Sequence, residues 1–430
     1  MIRRALREWE YLSVSNEADS TGITRAQADQ LLAVARRTGL GGADGERVLV
    51  DGGRRLRAQQ VVGVLVANDV TLEILPKIDG DAACARASLV HMLAAVHDLK
   101  IATGPTTDLG WQSRDLLEIL IRLFCDKLAA VLRRGLPRAY VRREDDLPAL
   151  RGRLDVIRQC TMLAASPQRL ACRYEDLDAD IALNRILKAA LVRLAGLARA
   201  PETRRRLSEL LFVYEPVTLP PRAALPWQAV ALDRTNAGWR EVLGFARLLL
   251  EDRFQTTSVG DGRGFALLFE MNTLFEEFVG RALRRALAGS DVGVTLQGPR
   301  RYALRDLGQD RPLFATRPDI VVSRAGQPVL ILDTKWKRLA GVLADPRRGV
   351  GQADVYQMMA YAQVYGCREL MLVYPHHAHL PLSAGCLATH AITNLDGSRL
   401  QLLTLDLSTP ELVPEQLRAA VVLQDHPAER

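Results

Sequence analysis

The chain has 430 residues, of which 48% are hydrophobic and 25% charged, so it is a globular protein too long for one ordinary core, and two or three domains are expected. Six scattered cysteines with no CxxC pair exclude a zinc or disulfide framework, and no apolar run approaches the roughly 20 residues of a membrane span. The formal charge of +7, with arginine far outnumbering lysine, suits a polyanionic partner, although a GC-rich coding sequence also raises arginine.

The N-terminus turns polar within ten residues (Glu8, Glu10) and lacks the apolar centre of a secretory signal, which points to the cytoplasm. Residues 1–85 read as a mixed β/α region. Val48–Val50 runs into the turn Asp51-Gly52-Gly53, and Val61–Val66 is apolar. Thr71–Leu75 alternates and stops at Pro76. Thr24–Arg37 has helical spacing, with Leu31, Leu32 and Val34 on its apolar side. The glycine-rich stretch 39–45 lacks the Gly-Lys-Ser/Thr ending of a phosphate loop, so the chain is not expected to hydrolyse nucleotides by itself.

Residues 86–260 carry helical patterns at 88–99, 116–133, 182–198 and 238–253, punctuated by proline-containing stretches. Residues 261–430 then read as an α/β domain with a central mixed sheet. Its elements are a helix over 269–287, a hairpin over 319–335, a helix near 353–365, a buried strand at 370–374 and a last hairpin turning at Asp396-Gly397.

The chemistry concentrates in the hairpin. With its turn at Gly326-Gln327, Asp319 falls opposite Asp333 or Thr334, and the two-residue strand repeat puts Asp333 and Lys335 on one face. Two carboxylates can hold a hard divalent cation through oxygen, which polarises a phosphate and lowers the pKa of a bound water. A neighbouring lysine can orient that water or neutralise developing charge. Asp and Lys at alternate strand positions also occur on solvated faces. The apolar runs Ile320–Val322 and Leu330–Leu332 favour burial, where unpaired charge is costly.

On the following helix, Asp354, Gln357 and Tyr361 share one face, which also suits a plain polar helix edge. Glu276 or Glu277 on the 269–287 helix can add a carboxylate or simply face solvent. Arg151-Gly152-Arg153 reads as a turn with two arginines, and Asp180, Asn184, Arg185 and Lys188 as structural or partner-facing. His376-His377-x-His379 reads as a loop, since no Cys or acidic partner lies nearby.

Taken together, Asp319, Asp333-Thr334-Lys335 and Gln357-x-x-x-Tyr361, after an acidic helix, resemble the PD-(D/E)xK nuclease superfamily. More specifically, the chain is similar to the McrC family, the nuclease subunits of McrBC modification-dependent restriction systems. The similar stretches are Leu72–Ile78, Arg151–Leu154, Tyr174–Lys188, Phe269–Phe278, Arg317–Val321, Leu332–Lys337, Asp354–Met358 and Leu372–Pro375. They follow the family's order from about residue 72 to 375, while the first 70 residues match poorly.

The resemblance implies a PD-(D/E)xK-type nuclease domain over 261–430, a helical middle over 86–260 and a partner-docking region over 1–85. It implies Asp319 and Asp333 as metal ligands with the Thr334 carbonyl, Lys335 as the catalytic lysine, Gln357 and Tyr361 as the supporting helix pair, and Glu276 as the helix acid. Mg2+, or Mn2+, is the implied metal. The implied partners are an McrB-like AAA+ GTPase, which recognises modified cytosine and translocates, and the double-stranded DNA that is cut. Two alternatives are a non-cutting regulatory subunit of an AAA+ ring and a standalone repair-type nuclease. The intact Asp, Asp and Lys set opposes the first, and the lack of a DNA-reading module opposes the second.

Overall fold

A computed structural model of the chain describes residues 2–15, 22–38, 40, 48–99, 115–166, 168–221, 224–232, 234, 236–250, 264–340, 347, 349–393, 395 and 397–421. The glycine-rich stretch 39–45 lies, except for Leu40, outside the described residues. The chain forms two compact units, one of residues 1–116 with 251–430 and one of residues 117–250. The regions expected at 1–85 and 261–430 thus share a unit. Among the described residues no helix is long and apolar enough to cross a membrane.

The first unit begins with strands β1 (Ile2–Arg7), β2 (Tyr11–Ser15), β3 (Ile23–Thr24), β4 (Leu49–Asp51), β5 (Arg55–Ala58), β6 (Val61–Ala67) and β7 (Val70–Leu75). β6 and β7 are buried along their whole length, β6 as a continuous apolar run and β7 with Thr71 and Glu73 buried among its apolar residues. The helix Arg25–Arg36 starts at a reciprocal capping box of Thr24 and Gln27, and presents Leu31, Leu32 and Val34 to this core. Glu73 is buried on β7, where it accepts two 2.7 Å hydrogen bonds from Arg86 and one from the Leu116 amide at 2.9 Å. A second helix, Ala82–Val96, carries that arginine.

The unit of residues 117–250 contains β8 (Ala139–Leu147), β9 (Arg153–Leu154) and β10 (Leu170–Asp178). These strands form an antiparallel sheet in the order β8-β10-β9. It lies inside a region expected to be dominated by helices. Helices Ala182–Leu197, Pro201–Val213 and Arg240–Leu250 accompany it. Arg151 stacks 4.1 Å from the Tyr174 ring centre and bonds Asp176 at 2.8 Å. Asp180 grips Arg185 in a bidentate pair and accepts from Thr218, while Asn184 and Lys188 bond backbone carbonyls. Inside this unit, these four residues brace the fold.

The first unit resumes with β11 (Gly264–Glu270), β12 (Val292–Leu296), β13 (Arg301–Asp306), β14 (Arg311–Thr316), β15 (Ile320–Arg324), β16 (Gln327–Thr334), β17 (Glu369–Pro375), β18 (Gly385–Ala391) and β19 (Arg399–Leu405). β11 does not join the later strands. It pairs antiparallel with β6 and completes the sheet β1-β7-β6-β11, burying Ala266 and Leu268 in the N-terminal core. Gly63 of β6 makes that approach possible, because a Cβ there would lie 2.0 Å from the Leu267 carbonyl oxygen.

The remaining strands build a six-stranded mixed sheet, β12-β15-β16-β17-β19-β18, with β16, β17 and β19 parallel. Helix Met271–Ala286 covers one face, where Gly280 abuts Leu296 and Ile320. Helix Gln352–Tyr365 covers the other, packing Met358 and Tyr361 with Val321, Ile331 and Leu372. The neighbours Ile320 and Val321 face opposite helices, as the strand repeat demands. β13 and β14 stand apart as a two-stranded ribbon.

The β15–β16 turn is one residue earlier than the sequence spacing suggests. Arg324 pairs with Gln327, so Ala325 and Gly326 form the turn, both with positive φ (47° and 81°), the geometry of a two-residue hairpin. A bulge between Val322 and Ser323 then shifts the register, and Ile320 pairs with Leu332. The expected last hairpin is present between β18 and β19, although Asp396 itself lies outside the described residues.

Candidate active site

Asp333 stands near the end of β16, at the centre of the sheet, and is 0% exposed. Ile331 and Asp333 share a strand face, which turns the carboxylate towards helix Gln352–Tyr365. Asp319 directly precedes β15, and its Oδ2 accepts hydrogen bonds from the Thr334 amide (2.8 Å) and hydroxyl (2.9 Å). Thr334 thereby clamps the two aspartate-bearing segments together through its nitrogen and side chain.

Lys335 lies just past the strand end. Its Nζ is 2.5 Å from Asp333 Oδ2 and donates to Gln357 Oε1 at 3.0 Å. Gln357 Nε2 donates to the Tyr361 hydroxyl at 2.7 Å, which donates to the Arg317 carbonyl at 3.1 Å. The chain of contacts runs from the sheet, through the helix face, back to the segment before Asp319. One turn earlier, Asp354 pairs with Lys337 and receives the Tyr374 hydroxyl at 3.5 Å.

Of the two helix acids, Glu276 is the one drawn into this cluster. Its Oε1 accepts from Gln297 Nε2 at 2.5 Å, and the Gln297 amide donates to the Asp319 carbonyl at 2.6 Å. Gln297 has a left-handed backbone (φ 52°) at the end of β12. No sequence signal singled it out, because its role depends on the pairing of β12 with β15, which no local pattern encodes.

The electrostatics are those of crowded carboxylates. Burial, then the charge of Asp319, pushes Asp333 up to about 6, with Lys335 pulling the other way. Burial and Asp319 also push Glu276 up to about 7, against the lowering effect of Gln297. Tyr361 is raised as well, first by burial and then by Asp333. Lys335 sits beside Asp333, yet neither carboxylate oxygen receives a well-directed hydrogen bond. Buried carboxylate oxygens of this kind fit an oxygen-ligated divalent cation.

Among the described residues no three His, Cys, Asp or Glu side chains are already gathered as a metal cage. A hard cation of the magnesium type does not need one, since it keeps several waters and takes one or two carboxylates. The histidine loop is structural. His377 is buried and bonds the Leu339 carbonyl at 2.9 Å, and His376 lies 3.3 Å from the Thr404 hydroxyl.

Next to Lys335, Trp336 ties this region to the N-terminal strands. Its Nε1 donates to Glu8 Oε2 at 2.8 Å, and its ring packs 5.2 Å from Phe275. Glu8 is 0% exposed, and burial pushes it up to about 7 despite the bonds from Trp336 and the Lys77 amide.

The family model for the McrBC 5-methylcytosine restriction system component matches residues 56–375. In fold, the chain is similar to one in the refined half-complex from a tetradecameric assembly of Thermococcus gammatolerans McrB AAA+ hexamers with bound McrC. That likeness has a TM-score of 0.73 and 20% identity, and covers 97% of this chain and 99% of that one. It is also similar to a chain of the cryo-EM structure of the Thermococcus gammatolerans McrBC complex, with a TM-score of 0.53, 22% identity and coverage of 67% and 88%. No curated protein matches in sequence.

Proposed function

The chain belongs to the McrBC 5-methylcytosine restriction system component family, and from that premise we propose that it is the McrC-like subunit that cuts DNA in a GTP-driven complex. The observation that carries this reading is the buried Asp333 carboxylate, set beside Lys335 and joined through Asp319 and Thr334 to the adjacent segment. The mixed sheet between two helices, with Asp333 on its central strand and Asp319 and Lys335 just beyond the strand ends beside it, supports a PD-(D/E)xK-type reading. The cytoplasm is its proposed place of action.

Asp319 and Asp333, with the Thr334 carbonyl, would hold Mg2+ or Mn2+. Such a cation supplies Lewis acidity towards a phosphodiester and its attacking water. Thr334 holds Asp319 in place through two hydrogen bonds, so the ligand does not need to reorganise when charge arrives. Lys335 offers an ammonium that orients the attacking water and offsets charge developing on the phosphate. Gln357 fixes that ammonium, and Tyr361 fixes Gln357 against the Arg317 carbonyl. Glu276, pushed up to about 7 by burial and the charge of Asp319, would add a further carboxylate beside such a cation.

The partner in this reading is an McrB-like AAA+ GTPase that selects double-stranded DNA with modified cytosine; the McrC bound to McrB AAA+ hexamers in the similar assembly supports the AAA+ partner. The deciding experiment is cleavage of methylated plasmid DNA in Mg2+ by the purified chain, alone and with a cognate AAA+ GTPase and GTP. Cutting only in the full mixture, lost in Asp333→Ala while GTPase stimulation persists, supports the reading. Cutting by the chain alone indicates a standalone nuclease, and stimulation without cutting indicates a regulatory subunit.

A further inference from the structure

The β13–β14 ribbon has no role in the site described above. It is paired from Arg301–Thr316 to Asp306–Arg311 and exposed along most of its length. Residues 300–317 hold five arginines against two aspartates, a net charge of +3. Arg305 is neutralised by Asp310 at 2.9 Å, and Arg301 is spent on the Tyr365 ring and the Val364 carbonyl. Arg300 and Arg311 are exposed and carry no ion pair among the described residues.

The apolar side chains of the ribbon are also turned outwards. Leu307 at the tip is 97% exposed and Phe314 is 69% exposed, with Tyr302 and Leu304 largely exposed as well. Phe314 has a left-handed backbone (φ 57°) in the middle of a strand. That conformation is rare and costly for an aromatic residue, and strain of this kind gathers where a segment has work to do. A solitary exposed leucine needs no explanation. Four exposed apolar residues among unpaired arginines on one ribbon do.

The base of the ribbon is fastened to the candidate active site. The Tyr365 hydroxyl lies 2.7 Å from the Pro299 carbonyl and 3.0 Å from the Thr316 carbonyl, donating between them. One turn earlier on the same helix, Tyr361 holds the Arg317 carbonyl, two residues before Asp319. The ribbon therefore starts and ends on the helix that positions Lys335.

We propose that the β13–β14 ribbon grips duplex DNA beside the scissile phosphate, with Arg300 and Arg311 on backbone phosphates and Phe314 against the groove. This inference rests on the reading of the chain as a DNA-acting subunit. A two-stranded ribbon of six residues per strand is roughly 20 Å long and fits the major groove. Unpaired guanidiniums match phosphate geometry, and a projecting aromatic can press on bases or sugars. The charge selects DNA over an apolar protein surface as the occupant.

The test titrates a labelled 30-base-pair duplex with the full chain in Ca2+, at several salt concentrations. Arg300→Ala/Arg311→Ala is expected to weaken binding roughly tenfold and reduce the salt slope by about two. Phe314→Ser is expected to weaken binding several-fold with the slope unchanged. Arg300→Lys/Arg311→Lys should keep the slope, which separates charge loss from misfolding. Wild-type affinity and slope in the alanine and serine variants would overturn the proposal. So would loss of AAA+ partner binding with duplex affinity unchanged, which would make the ribbon a protein-docking surface, or a wild-type chain that binds no duplex. A chain that binds duplex through these residues but cuts nothing with its partner, GTP and Mg2+ would sustain the ribbon and defeat the nuclease reading instead.

Discussion

Gln357 accepts a 3.0 Å hydrogen bond from Lys335 while Asp333 flanks the same ammonium at 2.5 Å. The lysine is therefore held from two elements, a strand and a helix, and its position does not depend on substrate. Lys335→Ala should leave Mn2+ binding intact, measured calorimetrically, and slow cleavage by about 100–1,000-fold. Gln357→Ala leaves the charge but frees its position, so the loss should be smaller, about 10–100-fold. Equal rates for Gln357→Ala and wild type would remove the helix from the mechanism.

Asp333 is where function and stability conflict. A carboxylate that is raised to about 6 in the folded chain, against an ordinary 3.8, destabilises the metal-free fold increasingly as pH rises through that interval. Asp333→Asn removes the charge at nearly constant volume. The variant should be inactive yet melt roughly 2–4 °C higher than wild type at pH 7.5 without metal. A lower melting temperature would mean that the Lys335 pair outweighs the burial cost.

Glu276→Gln tests the helix acid. With one carboxylate fewer, Mn2+ affinity should fall by about 10–100-fold, while the hydrogen bond to Gln297 can be kept by the amide. Glu277→Gln is the control and should bind Mn2+ as wild type does. The reverse pattern would reassign the helix acid.

Glu8 yields a pH prediction. Its folded-state pKa is raised from 4.5 to about 7, so the folded state binds the extra proton between those values. Stability contributed by the neutral acid is complete below about 4.5 and lost as pH rises through 7. The full shift corresponds to on the order of 3 kcal/mol. Glu8→Gln keeps an acceptor for Trp336, so its melting temperature should exceed that of wild type at pH 8.5 and converge with it at pH 5. Parallel curves would place the charge of Glu8 in both states alike.

Much of this was legible in the sequence, for reasons that differ by element. The spacing of Leu31, Leu32 and Val34 announced one helix face and that of Leu274, Phe275 and Phe278 another, because both signals are local. The placement of Asp319 opposite Asp333 or Thr334 came from counting along a hairpin, and the structure bonds it to Thr334. The count was off by one at the turn, since Ala325 in a left-handed conformation has no compositional signature. The β8–β10 sheet escaped because its strands carry runs such as Arg142–Asp146, which pair across the ribbon instead of alternating with apolar residues. Glu8 and Gln297 were invisible for another reason. Each acts on a partner that only tertiary structure brings near, and no local pattern encodes a bond between residues 8 and 336.

The pairing of β6 with β11 also orders events during synthesis. β6 has left the ribosome long before Glu270, the partner of Val61, is made. At about 5–20 residues per second, the intervening stretch of about 200 residues takes roughly 10–40 seconds to translate. Throughout that interval the nascent N-terminal sheet has an open edge, the kind of surface that recruits stray strands. Residues 117–250, a compact unit of their own, emerge meanwhile, so one unit is complete in sequence while the other still lacks its last strands. A nascent chain stalled at residue 250 should consequently be more sensitive to protease over residues 2–75 than one stalled beyond 300.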